Sequence, residues 1–274
     1  MPPLRVVQAT AYVTPLREGG SLPGLIEADD DGIYVTKFRG AGQGTASLVA
    51  EVIVGELGRR LGVRVPEVVV VELDDRIAPR EPDEEVQDLL RVSAGANLGL
   101  DFLPGSVGYD GLGRWAPPAR DAARVLWLDA ATANVDRTWR NPNLLVWHRQ
   151  LWAIDHAGAL VFQHAWPDPL VWAVKVYDLS EHVLLPMARR LDAAAWAELD
   201  AACAAALTEP VLREVLDVVP DEWLLDMNSA RSDAESRERS GLPARSADAW
   251  RERYVVQLLA RLAGDRPWQQ GLIP

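Results

Sequence analysis

One cysteine in 274 residues leaves no partner for an intramolecular disulfide. Cys203 lies in the alanine-rich run AACAAAL, where a buried helical thiol is expected, and redox chemistry is not suggested. Long apolar runs are missing too. Nothing approaches the roughly 18 uninterrupted apolar residues of a membrane-spanning helix, so no span is expected. The N-terminal run MPPLRVVQATAYV has neither the basic start nor the small-residue cleavage site of a secretory leader, which makes the cytoplasm the expected compartment. Histidine is scarce: His148, His156, His164 and His182 show neither the close pairing of an HExxH helix nor a zinc-finger spacing, and structural zinc is not expected. Positive charge is in deficit, with 28 basic against 40 acidic residues and a formal charge of −12. Such a surface repels polyanions and anionic lipid, so nucleic acid is a poor candidate partner. A GxxxxGK run followed by Ser or Thr is absent, which excludes a P-loop ATPase.

What the chain does have is enough apolar residue, 49%, for a substantial core in one large domain or two lobes. The first quarter reads as a small sheet with one helix. Strands are expected over Arg5 to Val13, Leu25 to Ala28 and Ile33 to Phe38, with the glycine-containing run REGGSLPG between the first two. In IYVTKF the alternation turns Tyr34 and Thr36 to one side and Val35 and Lys37 to the other. A helix is expected from Ala46 to Leu61, with Thr45 as N-cap and Val49, Ile53, Leu57 and Leu61 as its apolar stripe, placing Glu51 on the flank. Pro66 to Leu73 reads as a strand buried on both faces, Glu81 to Leu90 as a short helix, and Asn97 to Phe102 as an extended connector. The second part is mainly helical, over Pro118 to Asn134, Pro186 to Leu207, Glu209 to Val219 and Ala247 to Ala263. A hairpin of Leu144 to Trp147 and Leu151 to Ile154 turns at His148-Arg149-Gln150. Asn228 to Gly241 is charge-rich and reads as a loop.

The run NVDRTWRNPNLLVWHRQLWAIDHAG carries the chemistry. Asp136 and Asn141 stand five residues apart in a loop, a hairpin follows, and Asp155 comes at its end. Phosphoryl transfer requires a carboxylate to orient the attacking hydroxyl and take its proton, while an amide oxygen and a second carboxylate hold magnesium on the nucleotide phosphates. Alone, Asp136 and Asn141 also fit a capped turn, and a strand lysine such as Lys37 also fits an edge-strand side chain reaching water. Their occurrence together with Asp155 in kinase order weighs against coincidence. Trp127, Trp147, Trp152 and Trp196 are expected in the core, and Trp139 either in packing or as a wall of the acceptor side. Arg137 and Arg140 suit either phosphate or neighbouring carboxylates.

DRTWRNPNLLV followed by LWAIDHAG resembles the catalytic and metal-binding loops of HipA-like kinases and, more distantly, of the phosphatidylinositol 3- and 4-kinases. IYVTKFRGAGQG and the helix around AEVIVGELGRRLGVRVPE are similar to that family's nucleotide-binding strand and adjoining helix. The resemblance implies an α+β, two-lobed protein-kinase-like fold, with a small sheet-containing N-lobe over residues 1–102 and a mainly helical C-lobe over 103–274. It implies Asp136 as general base, with Asn141 and Asp155 as magnesium ligands. Lys37 would contact the ATP phosphates, and Glu51, or Glu56 in its stead, would steady Lys37. The phosphate loop would fall in REGGSLPG, at Gly19, Gly20, Ser21 and Gly24; these glycines also suit an ordinary hairpin. The expected activity is ATP- and magnesium-dependent transfer of the γ-phosphate to a hydroxyl acceptor, on a protein Ser/Thr or a small molecule. Two alternatives are a nucleotide-binding pseudokinase serving as an interaction module and an enzyme that transfers the nucleotide instead.

Overall fold

Alternating side chains in the first hundred residues wrap into a closed barrel. In the computed structural model, residues 1–16, 22–42, 44–113, 115–227 and 246–272 are described. The strands are β1 (Arg5–Pro15), β2 (Gly24–Ala28), β3 (Ile33–Lys37), β4 (Val68–Leu73) and β5 (Gly95–Asp101), in the order β1-β2-β3-β5-β4. Neighbours are antiparallel except at the closure, where Arg5 to Gln8 runs parallel to Val69 to Glu72. Of the segment expected as a connector, residues 97–101 therefore belong to a strand paired with β3 on one side and β4 on the other. The sequence GANLGLD has poor intrinsic strand preference, and pairing with β3 and β4 overrides it.

Val7, Ile26, Tyr34, Val69 and Val71 fill the barrel, and Ile77, Val86 and Leu90 close one end. The last two lie on a nine-residue helix over Glu84–Val92, which begins at Glu84 rather than Glu81 because Asp83 is its N-cap and accepts from Glu85 N at 3.0 Å. The helix α1 (Thr45–Arg60) packs on the outer face of β4, and the helix just described is α2. Gly44 occupies the N-cap position of α1, whereas Thr45 donates its hydroxyl to the Trp223 carbonyl at 2.9 Å. The expected stripe is present but incomplete as a description: every residue from Leu48 to Gly58 is buried, because the helix is covered on all sides.

The remainder is built around α3 (Ala119–Thr132), buried from Ala122 to Ala123 and again from Val125 onward. A three-stranded sheet of β6 (Val107–Gly108), β7 (Leu144–Trp147) and β8 (Gln150–Ala153) lies beside it. His148 and Arg149 both have positive φ, +48° and +59°, giving β7 and β8 a two-residue turn and starting β8 one residue early. Trp127 and Trp196 are core residues as expected, but Trp147 and Trp152 are half-buried and stack edge to face across the hairpin at 5.3 Å. Among the described residues six further helices follow: α4 (Pro169–Ala173), α5 (Leu185–Ala188), α6 (Ala193–Ala206), α7 (Glu209–Asp217), α8 (Asp221–Asp226) and α9 (Ala247–Leu262). The helix expected over Pro186 to Leu207 is thus broken in two. Asp192 caps α6 by accepting from Ala195 N at 2.8 Å, which restarts the helix. The loop expected over Asn228 to Gly241 lies outside the described residues. Among the described residues, no helix is long and apolar enough to cross a membrane.

Candidate active site

The pleat of β3 sends Tyr34 into the barrel and turns Val35 and Lys37 into a cleft of about 1610 Å³ between the barrel and the helical part. Lys37 is only 7% exposed. Its ammonium donates to Glu51 Oε1 from α1 and, at 2.6 Å, to Asp155 Oδ1 just beyond β8. Glu51 Oε1 also accepts from the Ala157 amide at 3.0 Å, joining α1 to the loop that carries Asp155. Glu56 instead pairs with Arg59 at 2.5 Å, so Glu51 is the partner of Lys37. Burial opposes the charged form of Lys37, but Glu51 and Asp155 outweigh it and raise its pKa. Burial raises the pKa of Glu51 against the pull of Lys37; at the more accessible Asp155 the lysine prevails and the pKa is lowered.

Asp136 and Asn141 face the same cleft. Asn141 Nδ2 donates to Asp136 Oδ2 at 2.8 Å, and Asn143 Nδ2 donates to the same oxygen at 3.1 Å. The opposite end of Asn141, its amide oxygen, remains for another ligand. Among the described residues no three His, Cys, Asp or Glu side chains gather as a metal cluster. A divalent ion would therefore take one carboxylate from Asp155, one amide oxygen from Asn141, and its other oxygens from phosphate and water. This sparse, all-oxygen donor set suits magnesium, which keeps much of its shell in water and substrate phosphate.

A buried network holds the two loops together. Asp129, near the end of α3, accepts from Arg137 Nε at 2.6 Å, from His182 Nε2 at 3.1 Å and, through Oδ1, from Asn134 Nδ2 at 3.0 Å. Arg137 extends further, donating to the carbonyls of Asn143 and Ile154, the latter at 3.2 Å, and lying 3.3 Å from His156 Nδ1. Fully buried and so engaged, Arg137 has no donor for phosphate; of its two readings the carboxylate partner is the one realised. Burial raises the Asp129 pKa, yet Arg137 and His182 overcome it and hold the carboxyl below its usual range. Burial, helped by Arg137, pushes His156 down to about 3, and burial likewise depresses His182 despite Asp129. Gly158 completes the junction: a Cβ there would stand 2.6 Å from Asp136 Cβ, so only glycine lets the two loops meet this closely.

Other expected residues lie less centrally. Arg140 lines the cleft but is highly exposed, 3.9 Å from Glu181. Trp139 is 41% exposed and rests on Gly111, where a Cβ would come 2.8 Å from its ring. Gly24 begins β2 beneath Tyr12, whose ring would be 2.5 Å from an added Cβ; its neighbour Pro23 lines the cleft. Gly19, Gly20 and Ser21 lie outside the described residues. Asp129, Asn143, His182 and Gly158 belong to the site without standing among the residues expected there. Two signals were present: a lone acid inside the apolar run ARVLWLDAATA, and a second asparagine just after Pro142.

The solved structure of the Helicobacter pylori proinflammatory kinase CtkA superposes with a TM-score of 0.54 at 11% identity, covering 92% of this chain and 99% of that one. The Golgi casein kinase with Mn/ADP bound gives a TM-score of 0.42 at 12% identity, over 99% of this chain and 74% of that one. No curated protein sequence matches. The α+β, kinase-like fold agrees with the likeness to CtkA. The model of the HipA-like kinases matches residues 11–240, most of the chain, and the protein therefore belongs to the HipA-like kinase family, a kinase-type phosphotransferase.

Proposed function

We propose that this chain transfers the γ-phosphate of magnesium-bound ATP to a hydroxyl acceptor, a Ser or Thr side chain of a protein. The observation that carries the reading is the meeting of two units in one cleft: the Lys37–Asp155 ion pair and the Asp136–Asn141 hydrogen bond. In this reading Lys37 exchanges its contact with Asp155 for the nucleotide phosphates. Asp155 and Asn141 would hold magnesium, which would screen the phosphate charge when bound, while Asp136 orients the acceptor hydroxyl and takes its proton. Glu51 keeps Lys37 in place from behind. The barrel, α1 and α2 would form an N-lobe over residues 1–102 and the rest a C-lobe over 103–274, with Leu103 at the cleft between them. The glycine-containing run with Gly19, Gly20, Ser21 and Gly24 would cover the phosphates, and the cytoplasm would be the working compartment. An acidic surface favours encounter with neutral or basic acceptors.

The test is incubation with magnesium, a panel of protein and small-molecule acceptors, and ATP labelled at either the α or the γ position. Transfer of γ label by the wild type, lost in Asp136→Ala, is the expected result. Transfer of α label would replace the reading with nucleotide transfer, and nucleotide binding without consumption across the panel would leave a binding module.

A further inference from the structure

Among the described residues the donors to the Asp136 carboxylate all reach one oxygen. Both amide donors, from Asn141 and Asn143, converge on Oδ2, and among the described residues no protein donor reaches Oδ1. The two asparagines differ in what holds them. Asn141 is exposed and has a further task if its oxygen binds metal. Asn143 is fixed through its backbone: its carbonyl accepts from the Ile154 amide at 3.0 Å and from the Arg137 guanidinium, and its φ is +49°. Ile154 immediately precedes Asp155. One residue therefore ties Asp136 to the strand end that carries the metal-site carboxylate.

We propose that Asn143 is a positioning residue for phosphoryl transfer, fixing Oδ2 of Asp136 so that Oδ1 receives the acceptor proton. The inference rests on the phosphotransferase reading of this cleft. In the step concerned, the acceptor oxygen bonds to the γ-phosphorus as the bond to the ADP oxygen breaks. The hydroxyl proton passes to Asp136 Oδ1, and ADP leaves with the electron pair of the broken bond. A base free to turn about its side-chain bonds loses alignment with that hydroxyl, and displacement of a reacting group by about 1 Å can cost on the order of 100-fold in rate.

The left-handed backbone at residue 143 supplies a clean test. Asn143→Gly accepts positive φ without strain and removes the donor, while Asn143→Asp keeps the side-chain shape but replaces the amide by a carboxylate. Both should lower kcat about 10- to 100-fold. The KM for ATP should stay within about twofold, because the lost contact bears on the base and not on the nucleotide. If Asn143 served only to shape the turn, glycine would replace it fully, so a wild-type kcat in Asn143→Gly overturns the proposal. Loss of nucleotide affinity equal to the loss of kcat would overturn it as well. Full transfer by Asp136→Ala would show that Asp136 is not the base and would overturn the proposal, whereas absence of transfer by the wild type counts against the phosphotransferase reading instead. In that event crystal structures still decide: Asp136 displaced in Asn143→Gly supports the positioning role, and an unchanged Asp136 rotamer refutes it.

Discussion

Lys37 is one of two lysines in the chain, and it is the one placed where removing it strands a buried carboxylate. In Lys37→Met, Glu51 loses its cation and keeps only the Ala157 amide. Breaking a buried pair from one side costs about 3–5 kcal/mol, whereas replacing both partners with apolar groups can be near neutral. Lys37→Met should therefore be destabilised in urea unfolding, and Lys37→Met with Glu51→Leu should recover much of that loss while nucleotide binding by calorimetry stays impaired in both. A double variant no more stable than the single one would show that the pair is not the source. The sequence revealed Lys37 through strand alternation, and Asp155 through the hairpin before it. It could not choose between Glu51 and Glu56, because α1 is buried all round and the amphipathic pattern does not say which neighbour lies opposite each face.

Among the elements, α3, the loop from Asp136 to Asn143 and the end of β8 are joined by Arg137. Its charge is matched by Asp129, and its remaining donors satisfy carbonyls at Asn143 and Ile154 that would otherwise be buried without partners. Arg137→Met should cost about 3–5 kcal/mol in urea unfolding, since Asp129 would keep its charge with only His182 and Asn134 near it. A loss below about 1 kcal/mol, the worth of a surface pair, would argue against the hub. Elements with strong local signals were legible: the hairpin announced itself by two apolar runs around a short turn, and β4 by four successive valines. β5 was not, since its glycines and asparagine carry little strand preference and its pairing is decided by β3 and β4 from elsewhere in the chain. The break before α6 was hidden for the opposite reason, as the alanine-rich run masks the capping role of Asp192.

For the whole molecule, the buried imidazoles set a direction for acid stability. His156 and His182 both have depressed pKa values, so the folded chain keeps them neutral below the ordinary histidine value of 6.5 while the unfolded chain takes up protons. Unfolding is then favoured as pH falls, and stability drops by up to about 1.4 kcal/mol per pH unit for each histidine that stays neutral only when folded. The depressed carboxyl of Asp129 acts with the same sign at more acid pH, its contribution present above the usual carboxylate range and lost below it. Urea unfolding at a series of pH values should show this decline, and His182→Gln should make it shallower below the ordinary histidine value of about 6.5. An unchanged slope in that variant would remove His182 from the account.

The barrel gives the same molecule a different kind of protection. An open five-stranded sheet would end in a β4 edge made of four consecutive valines, a ready template for strands of other chains. Arg5 to Gln8 covers that edge by pairing with Val69 to Glu72. The first strand thus acts as a chaperone within the chain, and because β4 is made some sixty residues later, the valine row emerges with its cover already synthesised.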